Sequence, residues 1–123
     1  MELQFGRMKQ LAMELEELED SYLISFVNKA GDEELHDRNA LTVFDVQYSS
    51  LTPASKWVVR FEIGRGYPFG EIDVYPISVF GLAPTLSSAS LNDAVPHGFG
   101  RLARACEFLK ERFEKTVQKE EEF

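Results

Sequence analysis

The spacing of hydrophobic and polar residues changes twice along the chain. In the opening segment Met8, Leu11, Leu15, Leu18 and Tyr22 recur at intervals of three and four, with Glu14, Glu16, Glu17 and Glu19 on the other faces. That period predicts a helix over residues 1–20. Its a/d spacing lasts about two heptads, which fits a helix packed on its own domain or the end of an upstream coiled coil with a coiled-coil partner. From Ser21 the period falls to two, and residues 22–27, 41–48, 57–63 and 72–80 read as four strands. Thr42, Phe44, Val46 and Tyr48 share one face of the second strand. On the third, Trp57, Val59, Phe61 and Ile63 lie together while Arg60 and Glu62 face out. Pro76 marks the fourth as an edge strand or a bulged one.

After Gly81 the helical period returns. Residues 87–94 read as a short helix ended by Pro96. A longer helix follows from about Phe99 to Val117, with Leu102, Cys106, Leu109, Phe113 and Val117 on one stripe. Residues 29–40, with a turn at Gly31-Asp32, and residues 49–55, with Pro53, read as connections; residues 119–123 read as a frayed tail. Between strands three and four stand Gly64, Gly66, Pro68 and Gly70. There Tyr67-Pro68-Phe69 sets a large aromatic before a residue of fixed φ, which predicts a shaped turn. A helix, a four-stranded antiparallel meander and C-terminal helices on one face make an α+β domain over residues 21–118.

Composition narrows the function. A chain of 123 residues with 44% hydrophobic residues can build a core without metal or disulfides. Its net charge of -8 argues against nucleic acid or an anionic membrane as partner and favours a protein. The single cysteine excludes an internal disulfide and fits a reducing compartment. No apolar run approaches the roughly 18 residues of a membrane span, and the start does not read as a signal peptide. The chain is therefore expected to be a soluble intracellular domain.

Candidate chemistry is sparse. Cys106 falls on the apolar stripe of the last helix, where a cysteine acts as a small hydrophobe. His36 and His97 are isolated, and one cysteine cannot build a zinc site. The glycine pairs Gly64/Gly66 and Gly98/Gly100 lack phosphate-loop spacing. No catalytic residue, cofactor or metal is expected.

The order of elements, with Tyr67-Pro68 between strands three and four, resembles an RWD domain. The usual signature of that family carries a second Pro four residues after the first, where this chain has Ile72. The run from Phe61 to Phe80, then Leu91 to Phe113 with Val95-Pro96 leading into the last helix, is similar to the C-terminal RWD region of the kinetochore scaffold family Knl-one (blinkin). An upstream coiled coil precedes that region in the family. The resemblance implies a non-catalytic module at the kinetochore in the nucleus. It would anchor a scaffold to a subunit of the Mis-twelve complex for chromosome segregation in mitosis. The same features admit a centromere RWD protein of the CENP-O/CENP-P type, or an adaptor of ubiquitin or kinase machinery. RWD domains share their architecture with ubiquitin-conjugating enzymes, but residues 81–100 hold neither a Cys nor His-Pro-Asn.

Three surfaces are candidates for partner binding. One is the outer sheet face with its edge strand, where a peptide could add backbone pairing and Trp57, Tyr75 and Tyr22 could anchor it or belong to the core. The second is the turn with Phe69 at its tip, unless that turn folds back on the sheet. The third is the acidic helix end, Glu16, Glu17, Glu19 and Asp20, which suits a basic segment or solvent.

Overall fold

In the computed structural model, residues 2–28, 42–64, 67, 69–98 and 100–121 are described. They form α1 (Glu2–Ser21), β1 (Leu23–Asn28), β2 (Thr42–Leu51), β3 (Ala54–Ile63), β4 (Ile72–Phe80), α2 (Ser88–Ala94) and α3 (Arg101–Glu121). The strands make one antiparallel sheet in the order β1-β2-β3-β4. This is the α+β meander that the change of period predicts. The loop expected at residues 29–40, with its turn at Gly31-Asp32, lies outside the described residues.

Two boundaries differ from expectation. Residues 49–55 were expected to connect β2 and β3, yet Ser49, Ser50 and Leu51 pair with Lys56, Ser55 and Ala54. The turn is only Thr52-Pro53, joined by a cis peptide bond. Serine lowers hydrophobicity, but the ladder is made by backbone groups, so polar residues continue a hairpin beyond its core. α3 ends at Glu121 rather than near Val117, running on past the last described core residue.

The inner sheet face carries the core. Phe44, Val46, Tyr48, Trp57, Val59, Phe61, Ile63, Ile72 and Val74 are buried, as are Leu11, Leu15 and Leu18 of α1 and Leu102, Leu109, Phe113 and Val117 of α3. Each such side chain contributes about 1.5–3 kcal/mol of hydrophobic stabilisation. Phe44 stacks on Phe61 at 5.1 Å between centroids, and Trp57 stacks on Phe113 at 6.1 Å. The leucine stripe of α1 is thus occupied by the domain itself. Glu14, expected on an outward face, is buried at 6% exposure. The reason is geometric: positions 11, 14, 15 and 18 form one helical stripe, and Glu14 stands within it.

β4 is both an edge strand and a bulged one. Its register slips between Val58 and Val59, leaving Ile77 unpaired beside Pro76. The strand stops at Gly81, whose φ of 75° suits glycine, and where a Cβ would lie 2.6 Å from the Ala54 carbonyl oxygen.

Candidate protein-interaction surface

Helix α2 determines what the β4 edge can do. Ser87 caps it, accepting from the Ser90 N–H at 3.3 Å. Ser88 and Asn92, four apart, therefore share one face. The Ile72 N–H donates to Asn92 Oδ1 at 2.9 Å, and Asn92 Nδ2 donates to the Ile72 carbonyl at 2.8 Å. One step along, the Val74 N–H donates to Ser88 Oγ at 2.9 Å, and that hydroxyl donates to the Val74 carbonyl at 3.0 Å. Two side chains thus stand in for a fifth strand. Backbone groups alternate sides along a strand, so the next outward position is Pro76, which has no N–H. The bulge at Ile77 follows. Strand addition, expected at this edge, meets a side that is already closed from Ile72 to Pro76.

Among the described residues no helix lies over the outer face. Across its middle, Arg60 Nε and Nη2 donate to the two oxygens of Asp45 at 2.8 and 3.1 Å. The Tyr75 hydroxyl donates to Glu62 at 2.5 Å. The hydrogen bond with Asp45 raises the Arg60 guanidinium pKa, and the bond to Glu62 raises that of the Tyr75 hydroxyl. Exposed apolar side chains flank this polar centre: Leu23 and Val27 on β1, Ile77 and Phe80 on β4, and Leu51 at the hairpin tip; Val79, opposite Trp57, is exposed on the other side of the strand.

The expected partner-binding residues separate. Trp57 is not a surface anchor: it is 1% exposed, because it alternates with Val59 and Phe61 onto the inner face beneath α3. Tyr22 is half-buried, edge-on to Tyr48 at 6.1 Å, and donates to Glu107 at 2.9 Å. Burial, reinforced by that bond, raises its hydroxyl pKa. Tyr75 is exposed on the outer face, and Phe69 is exposed at the turn, its ring 6.4 Å from that of His97. Glu16, Glu17, Glu19 and Asp20 all face solvent.

Sequence reasoning missed a buried polar cluster at the Tyr-Pro turn. Glu14 Oε1 accepts from the Tyr67 hydroxyl and from the Gly100 N–H, each at 2.6 Å. The Leu102 N–H donates to the same hydroxyl at 3.3 Å. Gly100, whose carbonyl accepts from the Arg104 N–H, opens α3, so the carboxylate sits at that helix's positive end. Arg101 is fully buried and donates to the Gly70 carbonyl and, at 2.6 Å, to Asn92 Oδ1. Burial and the Glu14 bond raise the Tyr67 pKa; burial lowers that of Arg101. The cluster fastens α1, the turn, α2 and α3 together. The available signal was Glu14 itself, placed three residues after Leu11 and four before Leu18.

Cys106 is fully buried, and burial pushes its thiol up to about 12. It is held neutral, which is the wrong state for a nucleophile. Among the described residues no group of three His, Cys, Asp or Glu could hold a metal ion, and no helix is long and apolar enough to cross a membrane. Comparison of the chain with protein-family models, curated proteins and solved structures gives no match.

Proposed function

We propose that this chain is a non-catalytic, RWD-type interaction domain that anchors a kinetochore scaffold to a subunit of the Mis-twelve complex. The observation that carries the reading is the Tyr67 turn. Its aromatic ring is buried between the sheet and the helices, and its hydroxyl is gripped by Glu14 of α1 and the Leu102 N–H of α3. A Tyr-Pro turn between strands three and four is the feature on which the RWD resemblance rests. The departure at Ile72 has a local explanation. A proline there would have no N–H, whereas the Ile72 N–H has its own acceptor in Asn92 Oδ1.

A sheet face that no described helix covers, with exposed apolar residues at both margins, supports work by surface contact rather than by a site. Size-exclusion chromatography with reconstituted Mis-twelve complex tests the assignment. Co-elution is expected. Separate elution of a folded chain would remove the kinetochore-anchor reading.

A further inference from the structure

The alternation fixed at β4 can be followed across the sheet. Ile72 and Val74 turn their backbone groups outward, so Asp73 and Tyr75 bond β3 at Glu62 and Arg60. Phe61 and Val59 then face β2, where they meet Phe44 and Val46. Asp45 and Gln47 therefore face β1 and meet Ser25 and Leu23. Ile24, lying between those two, must turn its N–H and C=O away from the sheet. Among the described residues no backbone hydrogen bond reaches them.

Among the described residues this edge lacks most of the devices that close β4. β1 reads Leu-Ile-Ser-Phe-Val-Asn, with no proline and no charged residue. A register slip near Val27 confines regular pairing to its first residues. Leu23 and Val27 are 65% and 53% exposed on the uncovered face, and Ser25 between them is also exposed. An added strand would lay alternate side chains across them.

The surroundings choose the occupant. α1 ends at Ser21, and its exposed Glu16, Glu17, Glu19 and Asp20 lie just before β1, with no basic residue in that last turn. In an antiparallel pair the C-terminal end of the newcomer lies beside Leu23, next to those carboxylates. A second copy carries the same charge of -8 and is repelled. We propose that the β1 edge accepts an extended peptide segment with alternating apolar residues followed, on its C-terminal side, by Lys or Arg. This rests on the reading of the chain as an interaction domain and names the class of segment it takes.

The probe is a fluorescent peptide, Thr-Val-Thr-Val-Thr-Lys-Arg-Lys, titrated into the whole chain, alongside the reversed sequence Lys-Arg-Lys-Thr-Val-Thr-Val-Thr. Amide exchange at Ile24 should slow at least tenfold with the first peptide. Ile24→Pro, tolerated where an N–H faces solvent, should weaken binding at least tenfold. The triple change Glu16→Lys, Glu17→Lys, Glu19→Lys should weaken it about tenfold and flatten its salt dependence. Should Ile24→Pro not fold, exchange at Ile24 in the unaltered chain decides alone.

Slow exchange at Ile24 without peptide, protection at Val79 instead, equal binding of both peptides, or no binding at millimolar peptide would each overturn the proposal. Protection that grows with protein concentration alone would assign the edge to a second copy, and also overturns it. Co-elution with Mis-twelve complex despite failure of the peptide sinks this inference and spares the proposed function. Peptide binding without co-elution does the reverse.

Discussion

The two ends of the core are built on opposite principles. At the β2–β3 hairpin end, Tyr48, Trp57 and Phe113 pack ring against ring, with centroids 5.7–6.2 Å apart. At the turn end, Glu14, Tyr67, Asn92 and Arg101 are joined by directed hydrogen bonds. The first end is held by area, which is non-directional and tolerates small shifts. The second is held by geometry, since a half-satisfied polar cluster costs more than an apolar one. The aromatic end therefore supplies more of the stability, and the polar end decides which arrangement of helices is stabilised.

The contrast is breakable. The largest effect is expected from Trp57→Ala, which should lower stability by about 3–5 kcal/mol in urea unfolding. A loss below about 1 kcal/mol would mean that the ring stack is not the main support. Arg101→Met is expected to cost about 2 kcal/mol, because the Gly70 carbonyl and Asn92 Oδ1 lose a buried donor. Buried ions replaced by apolar side chains are sometimes neutral or stabilising. A neutral result would show that direction, not stability, is the contribution of that residue, and loss of native chemical shifts around α2 would then measure it.

Tyr67→Phe should cost about 1 kcal/mol at neutral pH, read by thermal unfolding. It also sharpens the comparison through pH. The folded state raises the Tyr67 hydroxyl above its ordinary value of 10.0, so the stability this group contributes is complete below about pH 10 and falls as pH rises past it. The variant should therefore lose less stability than the unaltered chain above that pH, and equal alkaline losses would exclude Tyr67 as a source. The smallest effect is expected outside both ends. Asp45→Ala on the open face should change stability by less than about 1 kcal/mol, since its pair with Arg60 is partly solvated. A larger change would mean that the outer ladder helps hold the sheet.

Sequence periodicity captured the apolar end and not the polar one. The inward positions of β2 and β3 and the limits of β4 follow directly from alternation, because burial and side-chain period coincide there. Trp57 could be read either as core or as anchor, since a tryptophan suits both; its register beside Val59 and Phe61 was the deciding signal. Glu14 was misplaced because its charge outweighed its position in the stripe. The role of Ser88 and Asn92 was illegible, because a short polar helix gives no sign of which distant strand its side chains will meet. Residues 49–55 were shortened into a loop because serines hide a backbone ladder.

The substitute strand formed by Ser88 and Asn92 also bears on solubility at high concentration. A growing fibre requires every unit to have two competent joining sides, one for the unit before and one for the unit after. With the β4 side occupied from Ile72 to Pro76 by its own helix and by the proline, that side offers only the short stretch past the bulge. Such a molecule makes a poor link within a stack, so edge-to-edge growth beyond a first join is disfavoured.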